Sequence, residues 1–426
     1  MKVMKFGGTS VGTAKSMKLV ANAVSSQKGN KIIVLSASAG ITDKLISITN
    51  SLPKDYDKAL DIYHEIQSIS LHISSELNLE KHSLQKVEVL LHQLFELIDG
   101  VNLLNFISPT VANRIVATGE RLSSTIFYEF YTGIHESKFI DITEHLVYNS
   151  KSDYYELVGK TDLVKHLSDF KTIITQGFIC KDENGLISNL GRGGSDYSAS
   201  IIAAEMEAEE LQIWTDVNGV MSADPRLISK PITKERINLD SLSKMAFFGA
   251  KVIHPSTLKP TVEAKIPVRI LNTFESNNTG TLVTQNRDNP IPTMTIKKGC
   301  YQFSFAQSKI KSLYHINKYM TNEIVRNGLS LLSSNQLEHT IQYVFEQDIS
   351  NLISENLSYV VKAVDVIYIC ELKNSNTNSI LKIITNLIIN RFEINWEEGT
   401  ILILSSTDNT DESYNKFHDM LINTTE

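Results

Sequence analysis

The sequence feature that most constrains the fold is a short apolar segment that ends in two glycines close to the N-terminus. Residues 3–6 (VMKF) are predicted to form a buried strand that leads directly into Gly7 and Gly8. The two glycines let the backbone turn sharply and approach a ligand closely, because neither has a Cβ. Lys5 places a compact positive charge at the end of the strand. We call residues 5–10 (KFGGTS) the lysine loop.

A helix is expected to follow the lysine loop. Thr9 or Ser10 is predicted to cap a helix over residues 11–24. The N-terminus of a helix offers unpaired N–H groups and a partial positive charge, so this turn is predicted to bind a phosphate. The segment is not a P-loop, because Thr13 follows Gly12 where that motif requires a lysine.

A second apolar run, residues 32–35 (IIVL), is typical of a strand buried on both faces of a parallel sheet. It ends in residues 36–40 (SASAG), which we call the serine loop, and Thr42 follows. Open α/β sheets bind ligands at the carboxyl ends of their strands. The serine loop is therefore a candidate part of a binding site.

Residues 190–196 (LGRGGSD), which we call the arginine loop, have a similar composition. Ser195 is predicted to cap a helix over residues 197–208, which gives a second flexible anion-binding turn. Arg192 supplies a planar guanidinium that suits a carboxylate or a phosphate. Two such loops in one chain favour a functional interpretation over two unrelated polar turns.

The length of 426 residues predicts two or three domains. Apolar residues between about 55 and 104 recur at helical spacing, which indicates an inserted helical pair. The four histidines along it have no metal-ligand spacing and are interpreted as solvated or packed. After a polar, turn-rich boundary near residues 276–292, short strands and helices alternate. That region is interpreted as two diverged copies of one α+β unit.

Composition excludes several classes of function. The net charge of -7 disfavours a nucleic-acid-binding protein, which needs a basic surface. Cys180, Cys300 and Cys370 are scattered, which indicates neither a disulfide framework nor a zinc site and fits a reducing compartment. No apolar run approaches the length of a membrane span, and Met1 leads straight into a strand. We therefore expect a cytoplasmic protein that binds neither membranes nor nucleic acids.

Five segments, taken together and in order, resemble the aspartate kinases, which have the amino-acid kinase fold. They are residues 5–11, 36–40, 191–197, 214–217 and 248–255. The resemblance implies an α/β fold with a three-layer, mainly parallel sheet over residues 1–283, including the helical insertion at about 55–104. It also implies a smaller α+β regulatory region over residues 293–426, made of two diverged ACT-like units.

The resemblance implies transfer of the γ-phosphoryl group of ATP, with Mg²⁺, to the side-chain carboxylate of L-aspartate. The product is 4-phospho-L-aspartate, the entry to lysine, threonine, methionine and diaminopimelate biosynthesis. This reaction suits the residues, because a carboxylate with a free pKa near ~3.9 is already ionised and needs no catalytic base. The difficulty is repulsion between anions, which lysines, backbone N–H groups and Mg²⁺ offset.

Residue roles follow from the matched motifs. The catalytic group is expected to be Lys5, Gly8 and Asp196. The aspartate pocket is expected to comprise Ser36, Thr42, Glu120, Phe178, Arg192 and Ser195, with Arg192 on the α-carboxylate and Glu120 on the ammonium. The nucleotide is expected to contact Lys5, Gly7, Gly8, Thr9, Thr215, Asp216, Met221, Asp224, Arg226, Lys251 and Val252. No residue is expected to belong to a protein-only metal site.

The sequence also departs from the family pattern. Met221 and Asn218 stand where relatives usually have tyrosine and proline, and the tail lacks the familiar effector-site pattern. Two alternatives stay open: a kinase acting on glutamate or a related carboxylate, and a regulatory or scaffold protein with an inactive kinase domain. Intact Lys5, Arg192 and Asp196 favour an enzyme. An amino-acid effector at the ACT-like region and a homodimer or larger homo-oligomer are expected.

Overall fold

The computed structural model describes residues 1–149, 154–250, 253, 255–275, 277–285, 291–307, 312–372, 389–395 and 400–423, of which 154, 255, 256 and 389–395 are described by their backbone alone. The chain forms two compact units that interleave along the sequence. The first comprises Met1–Val220, Glu235–Ile237 and Ile253–Thr284, and the second comprises Met221–Lys234, Asn238–Val252 and Gln285–Glu426. A simple division near residue 283 stays a prediction.

The first unit is built on parallel strands. Its strands are β1 (Lys2–Phe6), β2 (Lys31–Leu35), β3 (Lys138–Ile140), β4 (Leu146–Asn149), β5 (Tyr154–Leu157), β6 (Thr172–Gln176), β7 (Ile179–Lys181), β8 (Ile187–Asn189), β9 (Glu210–Thr215), β10 (Arg236–Asn238), β11 (Val268–Asn272) and β12 (Thr281–Thr284). An eight-stranded sheet has the order β10-β12-β11-β9-β1-β2-β6-β3. Strands β11, β9, β1, β2, β6 and β3 run parallel to their neighbours, whereas β12 is antiparallel to β11. The predicted mixed α/β fold with a mainly parallel sheet is confirmed.

Within the described residues, seven longer α-helices and one short α-helix accompany this sheet. They are α1 (Ala14–Ser26), α2 (Ile41–Ser51), α3 (Tyr56–Glu76), α4 (Lys81–Leu104), α5 (Pro109–Thr132), α6 (Lys160–Phe170), α7 (Gly194–Glu205) and, after α8 of the second unit (Leu239–Phe247), α9 (Lys259–Glu263). Helices α3 and α4 form the helical pair that the periodicity predicts. Their apolar faces join α1, α2, α5 and the buried strands β1 and β2 in one continuous core. None of the described helices is long and apolar enough to cross a membrane.

Two helix starts differ from the sequence prediction. The lysine loop continues into a short 3₁₀ helix, Gly8–Val11, and α1 begins only at Ala14, so neither Thr9 nor Ser10 caps it. Thr13 is the cap, because its hydroxyl accepts the N–H of Ser16 at 3.1 Å and the hydroxyl of Ser16 accepts the N–H of Thr13.

The second difference lies in the arginine loop. Gly193, with φ of 73°, caps α7, so the helix begins at Gly194 and Ser195 lies in its first turn instead of capping it. The left-handed backbone of Gly193 is the physical reason, because it is readily available only to glycine. The carbonyl of Gly193 then accepts the N–H groups of Asp196 and Tyr197, both at 3.0 Å.

The sequence analysis missed a small second sheet of the first unit. It has four strands in the order β5-β4-β7-β8. Strands β7 and β8 form an antiparallel pair in which Ile179 lies opposite Asn189. This pair connects the end of β6 to the arginine loop, so it positions that loop.

The second unit is an antiparallel sheet with helices. Beyond α8 it contains β13 (Thr293–Ala306), α10 (Leu313–Asn327), β14 (Leu331–Gln336), β15 (Thr340–Phe345), β16 (Tyr359–Cys370), β17 (Ile389–Asn395), β18 (Thr400–Ser406) and α11 (Asp411–Asn423). The strand order is β14-β15-β13-β16-β18-β17. The order of β13, β15 and β14 on one side of the centre repeats that of β16, β18 and β17 on the other, which is the topology expected of two related units. The sequence pattern also predicts a helix over residues 380–389, but all of these except residue 389 lie outside the described residues.

A buried ion pair lies in the second unit. Lys234 pairs with Glu371, and the two side chains are only 1% and 3% exposed. The ammonium of Lys234 also donates to the carbonyl of Ile291 at 2.5 Å and the hydroxyl of Thr293 at 2.6 Å. Glu371 accepts the N–H of Asn238 at 3.0 Å. These bonds join three segments that lie far apart in the sequence.

We predict that Lys234→Met lowers the free energy of unfolding by about 3–5 kcal/mol, because it leaves the carboxylate of Glu371 buried without its cation. The double variant Lys234→Met/Glu371→Leu is expected to recover most of this loss, because no charge stays buried. Denaturant unfolding of wild type, both single variants and the double variant measures the effect. A double variant as unstable as the sum of the two single variants would contradict the prediction.

Candidate functional site

The lysine loop and the serine loop touch through backbone atoms. The N–H of Ala39 donates to the carbonyl of Gly8 at 3.0 Å. A Cβ on Gly8 would lie 2.9 Å from the carbonyl oxygen of Ala37, which is closer than such atoms approach. Gly8 is therefore required for this contact, which places the end of β1 beside the end of β2.

The end of β6 packs equally closely against the first turn of α7. A Cβ on Gly177 would lie 2.7 Å from Cβ of Ser195, and a Cβ on Gly194 would lie 2.7 Å from the ring of Phe178. Phe178 itself has φ of 66°, a conformation that is uncommon for a bulky residue and is found mostly where surrounding structure imposes it. The arginine loop is thus held against the main sheet.

The three loops line an open cavity of about 620 Å³ in the first unit. Its lining residues are Lys5, Gly8, Ser36, Ala37, Ser38, Ala39, Gly40, Thr42, Asp43, Ile46, Val116, Glu120, Phe178, Asn189, Gly191, Arg192, Gly193, Gly194, Ser195 and Asp196. All three residues predicted to be catalytic and all six predicted to bind aspartate are among them. The roles of these residues stay predictions, but their common location is a property of the structure.

At one part of the cavity wall, Lys5 and Asp196 form an ion pair of 2.6 Å. Both side chains are largely buried, with 11% and 15% exposed. Lys5 comes from β1 and Asp196 from the first turn of α7, so the pair links the lysine loop to the arginine loop. The ion pair holds the ammonium of Lys5 in place at the cavity surface.

Glu120 is the most perturbed acid in the cavity. It lies on α5 and is 3% exposed. One carboxylate oxygen accepts the N–H of Ala37 at 3.2 Å, and the other, Oε2, has no hydrogen-bond partner among the described residues. Burial raises the pKa of Glu120 to about 7, although that hydrogen bond and the charge of Lys5 lower it. An ammonium group from a ligand would satisfy the unpaired oxygen.

Arg192 contributes the opposite charge. Its side chain is exposed and makes no ion pair or hydrogen bond within the described part of the chain. A guanidinium in this state is available to bind an anion that enters the cavity. The cavity therefore offers a free cation, a buried acid and the Lys5 ion pair within one space.

Most of the residues that are predicted to contact the nucleotide do not line this cavity. Gly7 and Thr9 belong to the lysine loop but do not line the cavity. Thr215 and Asp216 follow β9 in the first unit, where the hydroxyl of Thr215 donates to Asp216 at 3.1 Å. Met221, Asp224 and Arg226 belong to the second unit, where Arg226 pairs with Asp224. Lys251 and Val252 lie outside the described residues.

The sequence analysis did not single out two polar residues that line the cavity, Asp43 and Asn189. Asp43 lies in the first turn of α2, directly after the serine loop. Asn189 ends β8 and precedes the arginine loop. Each residue lies next to a predicted ligand-binding loop in the sequence, and this position could have identified it as a candidate lining residue.

We predict that Glu120 makes stability depend on pH. The folded pKa of about 7 exceeds the ordinary value of 4.5, so stability present below pH 4.5 is lost as the pH rises through 7. Relative to Glu120→Gln, which cannot ionise, the wild type is expected to lose on the order of 3 kcal/mol between these values. Unfolding of both proteins from pH 4.5 to 8 measures the difference. Parallel profiles would contradict it.

Comparison with known proteins places this site in context. The model of the amino acid kinase family matches residues 1–272. Lysine-sensitive aspartokinase 3 of Escherichia coli (strain K12) is 33% identical over 297 residues, which cover 68% of this chain and 65% of that protein. The chain thus spans less than two thirds of the length of this curated relative, as it also does for aspartokinases of Arabidopsis thaliana and Chlamydia trachomatis.

Two crystal structures of aspartokinase III from E. coli match almost the entire chain. The complex with lysine and aspartate (T-state) has a TM-score of 0.82, and the complex with aspartate and ADP (R-state) has 0.77. Each is 24% identical, and each match covers 99% of both chains. At this identity the likeness shows a common fold. Because the family model matches more than half of the chain and includes the lysine, serine and arginine loops, the chain belongs to the amino acid kinase family.

Proposed function

We propose that the chain is an aspartate kinase, which transfers the γ-phosphoryl group of ATP to the side-chain carboxylate of L-aspartate. The observation that carries this proposal is the single cavity that contains Lys5, Glu120 and Arg192. Aspartate has two carboxylates and one ammonium. In the cavity, Lys5 and Asp196 pair with each other, whereas Arg192 is a cation with no described partner and Glu120 is an acid with one unpaired oxygen. The aspartokinase relatives, and the complexes of one of them with aspartate and with ADP, support the same substrates.

The amino-acid head group is recognised by opposite charges. Arg192 binds the α-carboxylate through its planar guanidinium, a geometry that lysine does not reproduce. Glu120 accepts a hydrogen bond from the ammonium, so its buried oxygen gains the partner that it otherwise lacks. Ser36, Thr42, Phe178 and Ser195 complete the pocket around the substrate. The binding of an ammonium also favours the ionised form of Glu120.

The side-chain carboxylate then faces the nucleotide. One of its oxygens attacks the γ-phosphorus, a new O–P bond forms, and the bond to the β,γ-bridging oxygen breaks as ADP leaves with the electron pair. The acceptor is already ionised, so no residue needs to remove a proton. Lys5 and the N–H groups of the lysine loop offset the negative charge that accumulates during transfer. Asp196 holds Lys5 in position through the 2.6 Å ion pair.

The residues also fit a Mg²⁺ ion that arrives with the nucleotide. No group of three or more His, Cys, Asp or Glu side chains in the described part of the chain could hold a metal alone. Mg²⁺ is usually bound by phosphates and only one or two carboxylates, a requirement that Asp196 in the cavity wall meets. The ion would neutralise phosphate charge. Thr215, Asp216, Met221, Asp224, Arg226, Lys251 and Val252 are proposed to contact the nucleotide.

The second unit is proposed to be regulatory. Its repeated strand order suits two ACT-like units, and the related E. coli structure contains lysine as well as aspartate. We propose that an amino-acid effector binds there and that the protein is a homodimer or a larger homo-oligomer. The proposed product places the enzyme in amino-acid biosynthesis.

Trapping of the acyl phosphate with hydroxylamine tests the proposal. With ATP, Mg²⁺ and aspartate, the wild type is expected to form hydroxamate, and Lys5→Ala is expected to be slower by about 10²- to 10³-fold because the transferring group loses its cation. Arg192→Lys is expected to raise KM for aspartate by about 10- to 100-fold. Wild type that forms no more hydroxamate than Lys5→Ala would refute the proposal. Faster reaction with glutamate than with aspartate would identify a different carboxylate kinase.

A further inference from the structure

The side chain of Arg192 makes no hydrogen bond or ion pair within the described residues, so its position depends largely on the arginine loop that carries it. The ends of the loop are held by a backbone hydrogen bond from Leu190 to Phe178 and by the packing of Gly194 on Phe178, whereas Gly191 has fewer restraints. Gly191 and Gly193 both have left-handed backbones, with φ of 71° and 73°, and the N–H of Gly194 donates to the carbonyl of Gly191 at 3.0 Å. A Cβ on Gly191 would meet no atom within 4 Å, so packing does not hold this residue.

One side chain restrains the loop from outside. The Oδ1 of Asn189 accepts the N–H of Gly191 at 3.1 Å, and its Nδ2 donates to Oδ1 of Asn113 at 2.9 Å. Asn189 thus uses both ends of its amide: one end binds the residue before Arg192, and the other binds helix α5. Both bonds are direct and of ordinary length.

The anchor on α5 is significant because the same helix carries Glu120. Asn113, Val116 and Glu120 are spaced by three, four and seven residues, so they share one face of the helix. Val116 and Glu120 line the cavity, and Asn113 binds Asn189, which also lines it. A single rigid helix therefore links the acid proposed to bind the ammonium to the loop that carries the guanidinium proposed to bind the α-carboxylate.

We propose that Asn113 and Asn189 are positioning residues that set the distance between Arg192 and Glu120 and so select an α-amino acid as the acceptor. This inference rests on the proposed function of the cavity. Neither asparagine is required to take part in phosphoryl transfer. Loss of the Asn113–Asn189 bond releases Arg192 while Glu120, Lys5 and Asp196 keep their own contacts.

The test compares Asn113→Leu, which removes the acceptor for Asn189, with Asn113→Asp, which retains an Oδ1 at the same place. Asn113→Leu is expected to raise KM for aspartate about 10-fold, which corresponds to about 1.4 kcal/mol, because Arg192 is held less well for the α-carboxylate. KM for ATP is expected to stay the same, and the midpoint of thermal unfolding is expected to fall only slightly, because the folded protein loses one hydrogen bond. Asn113→Asp is expected to behave more like the wild type.

Two analogues of aspartate separate positioning of Arg192 from a general loosening of the site. 3-Aminopropanoate lacks the α-carboxylate and succinate lacks the ammonium, and their inhibition constants against aspartate measure each contact. In Asn113→Leu, binding of 3-aminopropanoate is expected to be unchanged, because it makes no use of Arg192, whereas binding of succinate is expected to weaken as much as that of aspartate. Equal weakening of both analogues would overturn the proposal.

A double variant checks that the two asparagines act as one unit. Asn113→Ala/Asn189→Ala is expected to raise KM for aspartate no further than Asn189→Ala alone, because the second substitution removes a bond that is already absent. Additive effects would overturn the proposal. A wild type that forms no hydroxamate would contradict the proposed function itself, whereas an active wild type with unaffected Asn113→Leu would contradict only the positioning role.

Discussion

The register of the parallel strands is the constraint on which the rest of the structure depends. Phe6 of β1 lies opposite Leu35 of β2 and Trp214 of β9, and Leu35 lies opposite Gln176 of β6. The strands therefore end at one edge of the sheet, and the chain leaves them there as loops. The lysine and serine loops and the turn at Gly177 come together because of this register. A shift of one residue in β1 would turn its side chains to the opposite face.

The pairing of charges within the cavity determines which ligand groups it can bind. Lys5 is paired with Asp196, so a cation is kept near the lysine loop without a bound anion. Glu120 is buried with one oxygen unpaired, and Arg192 has no described partner. Glu120 can pair with a cationic group and Arg192 can pair with an anionic group, so a zwitterion can pair with both. The cavity thus presents charges that are complementary to those of the proposed substrate before the substrate binds.

Much of the fold and of the cavity could be predicted from the sequence, because the signals were local. Mainly apolar segments marked β1 and β2, helical periodicity marked α3 and α4, and glycines marked the loops. The positions of helix starts were harder to predict. The cap at Thr13 depends on a reciprocal bond with Ser16, and the start of α7 depends on the left-handed backbone of Gly193. Neither conformation follows from residue type alone.

Other features could not be predicted because they depend on contacts between distant residues. Asn189 and Asn113 are 76 residues apart, and Lys234 and Glu371 are 137 residues apart. Strands β4, β5, β7 and β8 are only three or four residues long and are stabilised by their neighbours, so they leave no clear periodic pattern. Such features become visible only once the chain is folded.

The exposed side chain of Arg192, which has no described polar partner, has a thermodynamic consequence. An exposed arginine loses rotamer entropy worth about 2 kcal/mol when it is fixed on an anion. This entropy cost offsets part of the electrostatic attraction between Arg192 and a bound anion. It therefore limits the affinity of the site for its ligand.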